Sequence, residues 1–324
     1  MKSKRILLNS LIYISIASTI VLGCQKKQAE EGENKESKLF IYSLENAKVD
    51  EKAFVSFVKQ LARDSAGLRL SPPAPGESAL SYIDEKDGSH FSLLSNGSLS
   101  FSKGIKDYLG DARPELPPDQ SVEGIAQDFL QKFNLMPQRK DEIKLLHVGG
   151  LRADTPKGEI IDKMKTITYG RVVDSIPVIG SGSKIIVHVG HKGEVTGLVL
   201  RWKELSGANK KAIKVSELLD EKEAAETFKK SIEREFGKEA KVTIKNQRMV
   251  YYDGGGNYLQ PAFAFESEIS MESLKNTIPY LGIIQALKES PERITLLDVP
   301  NEAMKLIGKS DRKAESPGKR EGKD

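Results

Sequence analysis

Residues 176–193 read IPVIGSGSKIIVHVGHKG, four glycines and two histidines in eighteen positions. Three chemistries draw on such residues, and each sets its own spacing. A phosphate-binding glycine loop needs G-x-G-x-x-G after a strand and at the opening of a helix, because the free N–H groups of the first helical turn hold the anion. Gly180 and Gly182 are followed instead by KIIVHV, a strand pattern, with no Lys-Ser/Thr in Walker spacing. A zinc site needs three or four ligands. His188 and His191 supply two, at i and i+3, while His90 and His147 lie far off in the chain and the single cysteine is Cys24. The helical metal motif H-E-x-x-H does not occur. Nor does the nucleophile motif G-x-S-x-G, since Gly180-Ser181-Gly182 lacks its spacing and its strand-turn-helix setting. The motifs therefore give no catalytic residue, no cofactor-binding residue and no metal ligand, and the expectation is a protein that is not an enzyme and carries no cofactor.

A plainer pattern accounts for more of the stretch. Ile185, Val187 and Val189 alternate with Ile186 and His188, and Leu198, Leu200 and Trp202 alternate on the return. Period-two alternation on both sides of Gly190-His191-Lys192-Gly193 predicts a β-hairpin with that tetrapeptide at its tip. Gly180 and Gly182 then serve a sharp bend ahead of it.

Similar signals mark the elements around this hairpin. LFIYS (39–43) reads as a strand. Phe54, Phe57, Val58 and Leu61 recur at helical spacing and predict a helix over 51–64 capped by Asp50. SPPAPG (71–76) breaks the chain, and strands follow at 78–84, 90–94 and 98–102, joined through Asp-Gly and Asn-Gly turns. After the linker 112–118, Val122, Ile125, Ala126, Phe129, Leu130 and Phe133 form a helical face that Pro137 ends. Strands are predicted at 143–149, 163–173, 183–190 and 194–203. A third helix starts at the capping-box pair Asp220 and Glu223 and closes at Gly237, with Ala225, Phe228 and Ile232 inward. VTIKNQRMVYYD and YLQPAFAFESEI flank Gly254-Gly255-Gly256 as a long hairpin, and 278–288 adds a last strand. Helix followed by antiparallel strands, three times over, predicts an α+β fold of tandem modules, each with one helix packed on a curled antiparallel sheet.

The 324 residues are more than one compact core of ordinary size and imply two or three domains. The ends are different in kind. A basic start leads into an apolar run from Leu11 to Gly23, about 20 Å as a helix and short for a bilayer core of about 30 Å. That length suits the apolar region of a signal peptide. Three of the 50 Lys and Arg side chains, Lys2, Lys4 and Arg5, precede the run, so the rest of the chain carries 47 against 46 Asp and Glu. That balance gives no case for nucleic acid as a partner. Residues 25–38 and 308–324 are charged and poor in apolar side chains, a composition too polar to offset the entropy of ordering.

Val21-Leu22-Gly23-Cys24 resembles the lipobox of bacterial lipoproteins, in which the cysteine is lipidated and becomes the new N-terminus. It departs from the common pattern at Val21 and at the bulky Leu22. The resemblance implies a signal peptide over 1–23, lipid attachment at Cys24, a tether over 24–38, no internal disulfide, and anchorage to a membrane of the bacterial envelope facing outside the cytoplasm. The central stretch ITYGRVVDSIPVIGSGSKIIVHVGHKGEVTGLVLRW is similar to the propeptide modules of thermolysin-type and fungalysin-type metalloproteases and to their PepSY neighbours. The matching residues are Tyr169, Asp174, Ile176, Pro177, Val178, Gly180, Val187, Val189, Gly193 and Val195. LQPAFAF (259–265) is similar to a late strand of the same modules. The resemblance covers about 120–270 and implies a PepSY/cystatin-like fold: an N-terminal α+β module over 39–112, a propeptide-like module over 119–205, a PepSY-like module over 214–288, and a disordered charged tail over 308–324.

In those precursors a zinc protease domain follows the propeptide, and here a polar tail does. The function expected is therefore that of a free-standing, non-catalytic interaction module that restrains or chaperones a secreted protease in trans. The partners implied are a protease, a peptide or an envelope polymer, besides the membrane itself. A structural lipoprotein that contacts the cell wall is the alternative, and a cryptic hydrolase with an unread pocket is a third.

Overall fold

The computed structural model describes residues 36–46, 50–62, 67–71, 79–104, 108, 110–154, 158–272 and 276–294. The expected signal peptide over 1–23, Cys24, nearly all of the expected tether over 24–38, most of the 71–76 break and the tail over 308–324 lie outside the described residues. Among the described residues the chain is a mixed α/β structure, mostly one large sheet with three helices. The elements in order are β1 (Glu36–Glu45), α1 (Glu51–Leu61), β2 (Leu68–Ser71), β3 (Ala79–Asp84), β4 (Ser89–Leu94), β5 (Leu99–Ser102), α2 (Asp119–Lys132), β6 (Ile143–Asp154), β7 (Ile160–Val173), β8 (Ile176–Ile179), β9 (Lys184–Val189), β10 (Val195–Arg201), β11 (Glu204–Lys214), α3 (Glu221–Phe236), β12 (Lys241–Tyr252), β13 (Tyr258–Ser270) and β14 (Ile278–Gln285).

One half of the sheet runs β6-β7-β9-β10-β5-β4-β3-β2, antiparallel throughout. The other runs β11-β1-β13-β12, with β14 also paired to β13. The short strand β8 joins them, antiparallel to β7 and parallel to β12.

Among the described residues four apolar clusters hold these layers, the fourth formed by Val250, Tyr252, Ala262, Ala264 and Ile283 between β12, β13 and β14. Asp50 caps α1 by accepting the Ala53 N–H at 2.7 Å, and Phe54, Phe57 and Val58 are buried beneath it. Helix α2 lies on the same sheet face, and Phe57 meets Phe101, Phe129 and Phe133 at 5.5, 6.4 and 5.0 Å between ring centres. Each such buried side chain contributes roughly 1.5–3 kcal/mol of transfer free energy. The first two helices therefore share one core with β4, β5, β7, β9 and β10. The third helix has its own. Its capping box is formed, with the Glu223 N–H donating to Asp220 at 2.7 Å and the Asp220 N–H to Glu223 at 3.2 Å, and Gly237 ends it at φ +95°. Phe228 stacks on Phe265 at 4.6 Å and lies over Gly282, where a Cβ would come within 2.1 Å of the ring.

The strand read at 39–43 is β1, and it pairs with β11 and β13. Tyr42 and Leu44 pack there with Val173, Val178, Leu205, Tyr251 and Leu259, a core at the junction of the two halves. Alternation marks a strand but says nothing of its partner. β11 has no counterpart in the sequence reading. It ends the sheet's path and carries Lys210, Lys211 and Lys214, the composition of a protected edge.

Candidate binding site

The glycine-rich bend is where the chain crosses between the halves. From β8, beside β12, it passes through Gly180-Ser181-Gly182-Ser183 to β9. The Asp253 N–H donates to the Ile179 carbonyl at 2.9 Å, and the Gly182 N–H to the Asp253 carbonyl at 3.0 Å. A Cβ at Gly180 would lie 2.1 Å from the Asp253 carbonyl oxygen, and one at Gly182 2.2 Å from Asp253 Oδ1. The two glycines thus admit another stretch of this chain.

A buried polar network extends from that contact. Asp253 Oδ2 accepts from Ser183 Oγ at 2.6 Å, and Oδ1 from the Gly255 N–H at 2.8 Å. Arg171 Nη1 donates to Ser183 Oγ at 3.2 Å and Nη2 to the Lys203 carbonyl at 2.8 Å. Its Nε lies 3.1 Å from Glu142 Oε2, and its guanidinium carbon sits 4.1 Å from the Trp202 ring centre. Arg139 Nη1 donates to the other Glu142 oxygen at 3.0 Å. Burial raises the Glu142 carboxyl above its usual value, against the opposing pull of Arg171 and Arg139. Burial lowers the Arg171 guanidinium, and Glu142 and Asp253 oppose that shift. Every charge here is answered inside the fold, so the network ties segments together.

Beside it lies a polar cavity of about 480 Å³, lined by Tyr42, Arg139, Glu142, Asp174, Ser206 and Lys210 among others. The Tyr42 hydroxyl donates to the Asp174 carboxylate, and burial, then this hydrogen bond, raise the tyrosine well above its usual value. Asp174 and Ser175 form the two-residue turn between β7 and β8, at φ +51° and +66°.

The histidines have separate partners. His188 is half-buried on β9, its Nδ1 3.0 Å from Thr166 Oγ1, and burial lowers its pKa. His191 lies at the hairpin tip, exposed, with Nδ1 accepting the Glu115 N–H at 3.0 Å. His90 Nε2 is 2.8 Å from Ser81 Oγ, and His147 is exposed on β6. Among the described residues no group of three or more His, Cys, Asp or Glu side chains is placed to hold a metal ion.

The feature that most resembles a contact surface is the outer edge of β6. Among the described residues β6 pairs only with β7, in register from Ile143 opposite Arg171 to Asp154 opposite Ile160. The pairing shifts after Leu145 and after Leu151, so alternation breaks and leucines emerge on both faces. Seven large apolar residues are exposed among the described residues, and four lie on this hairpin: Leu145, Leu146 (53%), Leu151 (54%) and Ile160 (66%). A cavity of about 280 Å³ opens between α2 and the hairpin, lined by Leu130, Met136, Leu145, Tyr169 and Ile185 among others. Burial and the nearby Glu123 push the Tyr169 hydroxyl up to about 12. The sequence predicts a strand over 143–149 but not that its outer edge is open. The adjacent pair Leu145-Leu146, which violates alternation, was the available signal.

No family model and no curated protein matches the chain. Solved structures align with it, two of them as follows. One is an uncharacterized protein from Eubacterium rectale, 9% identical over 79% of this chain and 85% of that one, at a TM-score of 0.45. The other is the Bacillus megaterium YpeB C-terminal domain, 12% identical over 79% of this chain and 99% of that domain, at a TM-score of 0.30. Among the described residues no helix is long and apolar enough to cross a membrane.

Proposed function

We propose that the chain is an envelope-anchored lipoprotein, lipidated at Cys24, whose folded part is a non-catalytic interaction module of propeptide type. In this reading α2 with β6, β7, β9 and β10 is the propeptide-like unit, and α3 with β12, β13 and β14 is the PepSY-like unit. The separate cores under α2 and α3 support that division. The observation that carries the proposal is the concentration of exposed leucines on a long edge strand whose outer N–H and C=O groups, among the described residues, are unpaired by neighbouring strands. Such an edge accepts an added strand: backbone hydrogen bonds supply affinity, and alternate side chains supply selectivity. Leu146 and Leu151 would be covered by the incoming segment, and the cavity beside Leu145 would take one of its side chains.

The test is inhibition of a thermolysin-type metalloprotease by the purified protein, compared with a Leu146→Lys, Leu151→Lys double variant. The reading expects inhibition by the native chain and at least a tenfold loss in the variant. A protease neither bound nor slowed by the native chain would remove the restraining role, and equal potency of the two proteins would move the contact away from β6.

A further inference from the structure

β6 reads IKLLHVGGLRAD, and its charged side chains are Lys144, Arg152 and Asp154. Arg152 is committed to Asp162, its Nε 2.7 Å from Oδ1. Lys144 and Asp154 are exposed, and neither side chain has an ion pair or hydrogen bond among the described residues. The two ends of the strand thus carry opposite charges that the fold leaves unanswered. Between them lie the exposed Leu145, Leu146 and Leu151. Helix α2 packs on β7, β9 and β10, inward of β6. An edge with a positive start, an apolar middle and a negative finish is complementary to the same edge turned end for end.

Two copies of one strand stand in that relation when they pair antiparallel. A closed pair of identical chains is two-fold, so that each contact occurs twice with the roles exchanged. The axis of two such edge strands passes through a residue that faces its own copy, and the middle of β6 offers Val148 and Gly149. With Val148 on the axis, Lys144 falls opposite the second copy's Arg152, and like charges there are unfavourable. With Gly149 on the axis, Lys144 falls opposite the second copy's Asp154 and Asp154 opposite its Lys144, two attractive pairs from one register. The same register sets Leu151 opposite His147, and the irregular stretch around Leu146 opposite the one after Leu151. We infer that β6 is a self-association edge, on which a second copy of this chain adds its own β6, antiparallel, about Gly149. Resting on the reading of β6 as a docking edge, this pairing covers the backbone groups that a protease would take, so dimer and protease complex exclude one another. One strand pair is a small interface, and contacts below about 1,200 Å² are weak, so the dilute chain presents a free edge.

Sedimentation equilibrium of the full chain provides the test. The native chain should pass from monomer to dimer as its concentration rises. Lys144→Asp and Asp154→Lys each turn two attractive pairs into two repulsive ones, and each should raise the dissociation constant by about tenfold or more. Mixing the two variants, or combining both substitutions in one chain, puts opposite charges back at both pairs and should restore the native affinity to within about threefold. A native chain that stays monomeric up to about 1 mM overturns the inference. So does a dimer that the single variants leave intact, or one that they weaken without rescue on mixing. Should a variant fail to fold, hydrogen exchange of the native chain decides. Protection of β6 amides that grows with concentration supports the pairing, and a dimer whose β6 amides exchange as in the dilute chain overturns it. A monomeric chain that still inhibits the protease removes the dimer and leaves the docking edge. A dimer that the single variants break, in a chain that never binds the protease, removes the restraining role and leaves the dimer.

Discussion

Ser175 holds φ at +66° beside Asp174 at +51°, in a two-residue hairpin turn that ordinarily takes Asn-Gly or Asp-Gly. A side chain in the left-handed region costs roughly 1–2 kcal/mol, which glycine avoids at some expense in unfolded-chain entropy. Ser175→Gly should therefore raise the urea midpoint, by about 1 kcal/mol in stability, with an unchanged slope. A lower midpoint would mean that the serine side chain stabilises the junction. Glu142 makes a second prediction at this scale. Its folded pKa lies above the usual carboxyl value of 4.5. Between those two values the folded state binds more protons than the unfolded state, so stability falls as pH rises through that window. Unfolding followed from pH 4 to 8 should show this slope in the native chain and lack it in Glu142→Gln. Arg171→Leu removes the attraction that opposes the shift. It should cost roughly 3–5 kcal/mol near neutral pH, since it leaves a buried carboxylate without its main partner.

At the scale of elements, β6 should tolerate what the core does not. Leu146 and Leu151 are exposed on an edge strand, so Leu146→Lys and Leu151→Lys should each change stability by less than about 0.5 kcal/mol while weakening partner binding. A large loss in the urea midpoint would show that the leucines stabilise the fold itself. The elements were the most legible part of the sequence. The helical faces of α1, α2 and α3, the Asp50 and Asp220 caps, the Gly237 stop and the β9–β10 hairpin all follow from local spacing, and local spacing is what those features obey. What local spacing lacks is partnership. β1 alternates as any strand does, yet its neighbours are β11 and β13, more than 150 positions along the chain. β11 is polar and lysine-rich because it is an edge, and that composition hides it from a search for apolar alternation. Local composition predicts the glycine bend as a bend. That Gly180 and Gly182 make room for Asp253 depends on a contact between residues some 70 positions apart, which nothing near either of them encodes.

Taken whole, the molecule is two sheet halves with separate cores, tied through β8, β1 and the Arg171–Ser183–Asp253 network. If that tie couples them, Asp253→Ala leaves the buried Ser183 hydroxyl and the half-buried Gly255 N–H without their acceptor. The native chain should then unfold in one calorimetric transition and the variant in two, the α3 core separating from the shared α1–α2 core. A single transition of unchanged enthalpy in the variant would place the coupling elsewhere, in the apolar junction of Tyr42, Val173, Val178 and Leu259.

The proposal that β6 is a docking edge has its most direct test in amide hydrogen exchange. Alone, alternate amides of Ile143–Asp154 should exchange quickly, because their N–H groups face solvent along the unpaired edge. With a thermolysin-type protease bound, those same amides should become protected at least tenfold, while the amides of β14 stay unchanged. Protection that appears elsewhere and leaves β6 exchanging as before would contradict the account.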